Sequence, residues 1–167
     1  MEENRYETAR ANYKPEGRVK FLFVGESRPK SGQFFYIDNT QLYSQTKETF
    51  ELLIQDFSRK KFQELGCWLY DVCLEPINQY NEKDPEERAI KQKIIRKYIP
   101  QLKRTIEKLN PEYIIVVKKG LFGKEVFPEI LSMANNIRAF NLPFPNCGNQ
   151  KKYREQLFNI LEGKINE

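Results

Sequence analysis

Three short runs of nearly uninterrupted apolar residues constrain this chain most: residues 19–24, 67–74 and 113–117. A strand covered on one face alternates apolar with polar positions. A run apolar throughout needs cover on both faces, as parallel strands beneath helices have. Gly25 stops the first run and Lys118-Lys119-Gly120 the third, and a shorter strand is expected over residues 137–140. Between the runs the spacing turns helical. Residues 46–65 carry Phe50, Leu53, Ile54, Phe57, Phe62 and Leu65 ahead of Gly66 and predict one helix with a glycine stop. Asp84-Pro85-Glu86-Glu87 supplies a capping side chain, a first-turn proline and an early glutamate. The helix it opens has a stripe of Ile90, Ile94, Ile95, Tyr98, Leu102, Ile106 and Leu109, which Pro100 is expected to kink or split. Helices over 124–134 and 149–161 complete the chain. Strands alternating with helical crossovers predict an α/β fold with a parallel sheet and helices on both faces. Residues 1–17 are polar and read as a loosely attached lead-in or a short helix, with residues 18–167 as a single domain.

A chain of 167 residues and 19.9 kDa can bury one core without staples. No window approaches the ~18 apolar residues of a membrane span, mean hydropathy is −0.71, and the acidic start lacks the layout of a secretory signal. A soluble cytoplasmic protein with no membrane partner, monomeric by preference, is the expectation. Cys67, Cys73 and Cys147 form no C-x-x-C pair, so reduced thiols and no metal or cofactor are expected. The chain contains no histidine. Acid–base work then falls to carboxylates, amides, hydroxyls, lysine, arginine or backbone groups. A net charge of +5 and a pI near 9.0 are compatible with a polyanionic partner.

Right-handed crossovers put the loops after the strands along one edge, where ligands of such sheets bind. The loops over 25–32, 71–78, 118–120 and 141–150 are the candidates. Glu26 follows a buried strand, where desolvation and backbone amides tune a carboxylate, or it is a solvated loop glutamate paired with Arg28 or Lys30. Phe34-Phe35-Tyr36 is expected in a surface loop, either stacking on a planar base or plugging the end of the core.

Gly25-Glu26-Ser27-Arg28-Pro29 resembles the first motif of the uracil-DNA glycosylase superfamily, and Leu142-Pro143-Phe144-Pro145 its second. Between them, residues 69–73, Glu75-Pro76, Asn81 and Asp84-Pro85-Glu86-Glu87 are similar to the strand, loop and helix start of the iron–sulfur branch. The resemblance spans about residues 19–161. It implies a three-layer α/β/α sandwich around a four-stranded parallel sheet, DNA as partner, and Phe35 or Tyr36 as the residue stacking on the base. The departures fall on chemistry. Leu142 stands where the family has its histidine, Asp71 where it has the uracil-reading Asn, and the cluster cysteines are absent.

Cleaving an N-glycosidic bond needs stabilisation of a cationic sugar, a positioned water and help for the departing base. Glu26 suits the first two. Asn141, Asn146 or amides near Gly148 are candidates for the third. Arg28 and Lys118 are candidate phosphate contacts, as are Asn149, Gln150, Lys151, Lys152 and Arg154 around the start of the last helix. The alternative for that helix is a solvated face with a capping asparagine. The expected activity is excision of a uracil-like or damaged base flipped from DNA; the alternative is a catalytically silent nucleic-acid or nucleotide-binding domain of the same fold.

Overall fold

The computed structural model describes residues 2–133 and 136–167. In chain order the elements are α1 (Glu2–Asn12), β1 (Phe21–Ser27), α2 (Gln41–Phe50), α3 (Arg59–Glu64), β2 (Cys67–Cys73), α4 (Pro85–Leu109), β3 (Tyr113–Val117), α5 (Leu121–Leu131), β4 (Arg138–Leu142) and α6 (Gln150–Leu161). The strands form one all-parallel sheet in the order β2-β1-β3-β4. With α2 packed on α6 and α4 on α5, helices flank it in a three-layer α/β/α sandwich. No helix among the described residues is long and apolar enough to cross a membrane.

The continuous apolar runs are covered on both faces, as their composition requires: all five residues of β3 and the first six of β1 are buried. Asp84 caps α4 by accepting from the N–H groups of Glu86 and Glu87, and α4 runs through Pro100 to Asn110 in the left-handed region. Pro100 neither ends nor divides it.

The single helix expected over residues 46–65 is two helices. The chain turns after Phe50, Asp56 takes a positive φ of 54°, and Ser58 starts α3 by accepting from Lys61 N–H at 3.0 Å. The spacing misleads because the turn also sends its aromatic inward. Phe57 lies outside either helix, yet its ring centroid is 4.9 Å from that of Phe50. The fifth helix starts at Leu121, earlier than expected, and the expected end at Ala134 lies outside the described residues. Strands β1 and β4 run on to Ser27 and Leu142, so Glu26 and Asn141 are strand residues rather than loop residues.

Of the two readings of the N-terminal segment, the structure has the helix, and it is fastened down. Tyr6 is buried and donates to the Gly32 carbonyl at 2.8 Å, and Trp68 donates from Nε1 to the Arg10 carbonyl at 3.0 Å. Tyr13 continues the stripe and stacks on Tyr36 with ring centroids 5.4 Å apart.

Candidate functional site at the carboxyl edge of the sheet

A cavity of about 220 Å3 opens where the strands end. That is below the ~300–1,000 Å3 of pockets for drug-sized ligands. Its wall includes Glu26, Phe35, Asp71, Asn78, Lys118 and Asn146. Two hydrogen bonds tie the loops around it: Ile77 N–H donates to Ser27 Oγ at 3.2 Å, and Lys30 N–H to Asn78 Oδ1 at 3.0 Å.

Two carboxylates meet here from opposite faces of the sheet. Gly25 pairs with Asp71 in the β1–β2 register, so successive residues place Asp71 on one face and Glu26 on the other. Asp71 is 6% exposed and lies so close over Gly25 that a Cβ there would fall inside the contact distance of Asp71 Oδ1. Burial pushes its carboxyl above the usual aspartate range; the Arg10 guanidinium, with Nη2 3.5 Å away, opposes that, while Glu7 and Glu26 add to it.

Glu26 stands between two ammonium groups. Its Oε1 accepts from Lys118 Nζ at 2.7 Å, and its Oε2 lies 3.2 Å from Lys91 Nζ as an ion pair without hydrogen-bond geometry. Lys91 is 1% exposed and also donates to Glu82 Oε1 at 2.7 Å. Burial opposes the charge on Lys91, but Glu26 and Glu82 outweigh it and raise its amine above the usual lysine value. Glu82 likewise meets a burial penalty, which Lys91 overcomes, so its carboxyl is lowered. The solvated loop glutamate is thereby excluded: the partners of Glu26 are Lys91 and Lys118, not Arg28 or Lys30.

Lys118 holds a φ of 109°, a conformation costing about 1–3 kcal/mol in a residue with a side chain. Its surroundings hold it there. Its N–H donates to the Leu142 carbonyl at 2.9 Å, and its own carbonyl approaches Gly123 so closely that a Cβ there would meet it at 2.9 Å.

The other expected site residues divide. Phe35 is buried rather than in a surface loop, and shows the cavity one part of an aromatic cluster with Tyr36, Tyr43 and Phe62. Tyr36 does not line the cavity. Its hydroxyl accepts from Leu69 N–H at 2.6 Å and donates to the Leu69 carbonyl at 3.2 Å, occupying the backbone of the edge strand β2. Arg28 lines the cavity with its guanidinium 4.2 Å over the Tyr6 ring. Asn141 is turned the other way, against Gly123 of α5, with a buried Oδ1 that has no partner. Asn146, on the following loop, is the asparagine that reaches the cavity.

The cations of α6 are not brought to it. Arg154 pairs with Glu48 at 3.3 Å and hydrogen-bonds Gln45, Lys151 pairs with Glu155 at 3.8 Å, and Lys152 is exposed. At the start of that helix, Gln150 accepts from Gly148 N–H and Asn149 makes no side-chain cap. Among the described residues no group of three or more Cys, Asp or Glu has the arrangement of a metal site.

Sequence reasoning missed Arg10, Glu82 and Lys91. Lys91 left a signal: it falls in register with Ile95, Ile99, Leu102 and Ile106 on the buried stripe of α4, while Ile90 is 47% exposed. A lysine on an apolar stripe needs a buried counter-charge. Comparison with family models finds none that matches this chain, and no curated protein matches it.

Proposed function

We propose that this protein handles a single nucleobase of DNA, with base excision as its activity. The observation that carries the reading is the convergence of two buried carboxylates, Asp71 and Glu26, on one small cavity at the ligand-binding edge of a parallel sheet. A flipped base enters beside Phe35 and meets Asp71, whose carboxyl presents an acceptor when ionised and a donor with an acceptor when protonated. The sugar stays at the mouth near Glu26. Negative charge there favours a transition state in which the sugar becomes cationic, and its oxygens orient a water. Arg28 and Lys118 offer positive charge to the flanking phosphates.

Single-turnover assays test this on oligonucleotides carrying a panel of modified bases, with hot alkali revealing abasic sites. The expected result is strand scission at one base type, reduced far more by Glu26→Gln than DNA binding is reduced. No scission at any base, together with no preference for a modified base in competition binding, refutes the reading. The two lysines on Glu26 favour a second reading, a base-binding domain without excision, because they already balance the charge that catalysis needs. That reading expects selective binding and no scission.

A further inference from the structure

Of the two lysines on Glu26, Lys91 is sealed at 1% exposure, whereas the Lys118 side chain is 28% exposed and is the only amine lining the cavity among the described residues. Its backbone is fixed in a strained conformation by Leu142 and Gly123, which keeps the side chain on the cavity wall. Its Nζ lies 2.7 Å from a buried carboxylate that has a second cation at its other oxygen. A positioned amine beside a proton acceptor is the arrangement that forms an imine with a carbonyl compound.

We propose that Lys118 forms a covalent imine with the ring-opened sugar aldehyde of an abasic site. This rests on the base-handling reading of the cavity, because loss of a base leaves that aldehyde where the sugar stood. Lys118 passes a proton to Glu26 Oε1, which becomes neutral, and Glu82 remains as the counter-charge of Lys91. The neutral amine adds its electron pair to the aldehyde carbon, forming the carbon–nitrogen bond of a carbinolamine. Glu26 returns the proton to the departing hydroxyl. The carbon–oxygen bond breaks, water leaves, and a protonated imine remains; no oxidant or reductant is consumed.

The test incubates the full chain with an oligonucleotide carrying a preformed abasic site in the presence of sodium cyanoborohydride, which reduces an imine to a stable secondary amine. A covalent protein–DNA adduct is expected, mapped by peptide mass spectrometry to Lys118. It should be lost with a tetrahydrofuran analogue, which has no aldehyde. It should also be lost in Lys118→Arg, which keeps the positive charge beside Glu26, and in Lys118→Gln. The Tm of Lys118→Arg should stay near the native one, so that loss of the adduct reports the amine and not the fold. No adduct with the native chain, an adduct on another amine, or an undiminished adduct in Lys118→Arg overturns the proposal. Excision without an adduct removes only the imine. An adduct without excision removes the excision activity and leaves the amine.

Discussion

The close seat of Asp71 over Gly25 makes Gly25→Ala a quantitative probe of the site. Two effects compete. Gly25 is not among the positive-φ residues, so alanine meets no backbone strain there and gains about 0.4–1 kcal/mol by restricting the unfolded chain. Against that, the new Cβ overlaps Asp71 Oδ1 and sits 3.5 Å from Leu69 Cδ1. The carboxylate has little room to withdraw, being buried and paired with Arg10. Overpacking of this kind costs about 1–3 kcal/mol, so the clash wins by roughly 1–2 kcal/mol. For a chain of this size that lowers Tm by about 2–8 °C. In an Asp71→Ala background the obstruction is gone, and the same substitution should be neutral or stabilising. Thermal and urea unfolding of the four proteins measures the coupling. Equal destabilisation by Gly25→Ala with and without Asp71 would refute the reasoning.

Lys91→Met should destabilise by about 3–5 kcal/mol in urea titration, because it leaves buried carboxylate charge short of a partner, and adding Glu26→Gln should recover part of the loss. For Asp71 the folded carboxyl titrates above the unfolded one. Between those two values the folded state keeps a proton that the unfolded state has lost, so this group's contribution to stability falls as pH rises through that window. Asp71→Asn should therefore gain stability relative to the native chain as pH rises above the usual aspartate range, and parallel pH profiles would sink the assignment. Tyr36→Phe should cost about 1–3 kcal/mol, as buried backbone groups of Leu69 lose their partner. It should leave ligand affinity unchanged, since Tyr36 is not part of the cavity wall.

The sheet was legible because burial on both faces writes itself directly into composition: residues 67–73 and 113–117 admit no charged residue except Asp71, and that exception lines the cavity. The helix boundaries were less legible because an apolar side chain reaches the core from a turn as well as from a helix, as Phe57 does. The N-terminal helix had little pattern to offer. Its contact with the domain is one sparse stripe of Tyr6, Ala9, Arg10 and Tyr13, and all of these but Ala9 are polar or aromatic with a polar tip.

The site divided along the same line between local and tertiary information. Glu26, Asp71 and Lys118 follow from strand ends alone, since a parallel sheet gathers its carboxyl ends regardless of side chains. Their chemistry does not follow, because charge is set by partners brought from α1 and α4, remote in sequence. Arg10 meets Asp71 across sixty-one positions and Lys91 meets Glu26 across sixty-five, counting by residue number. Those two helices lie on opposite sides of the β1 strand end, so each carboxylate, equally buried, receives its own cation. Asp71, with one guanidinium at 3.5 Å and burial dominant, is biased towards holding a proton. Glu26 has an ammonium group at each of its two oxygens. Different partners divide the work of two carboxyl groups in one cavity: Asp71 is fit to hydrogen-bond a ligand edge, Glu26 to face positive charge.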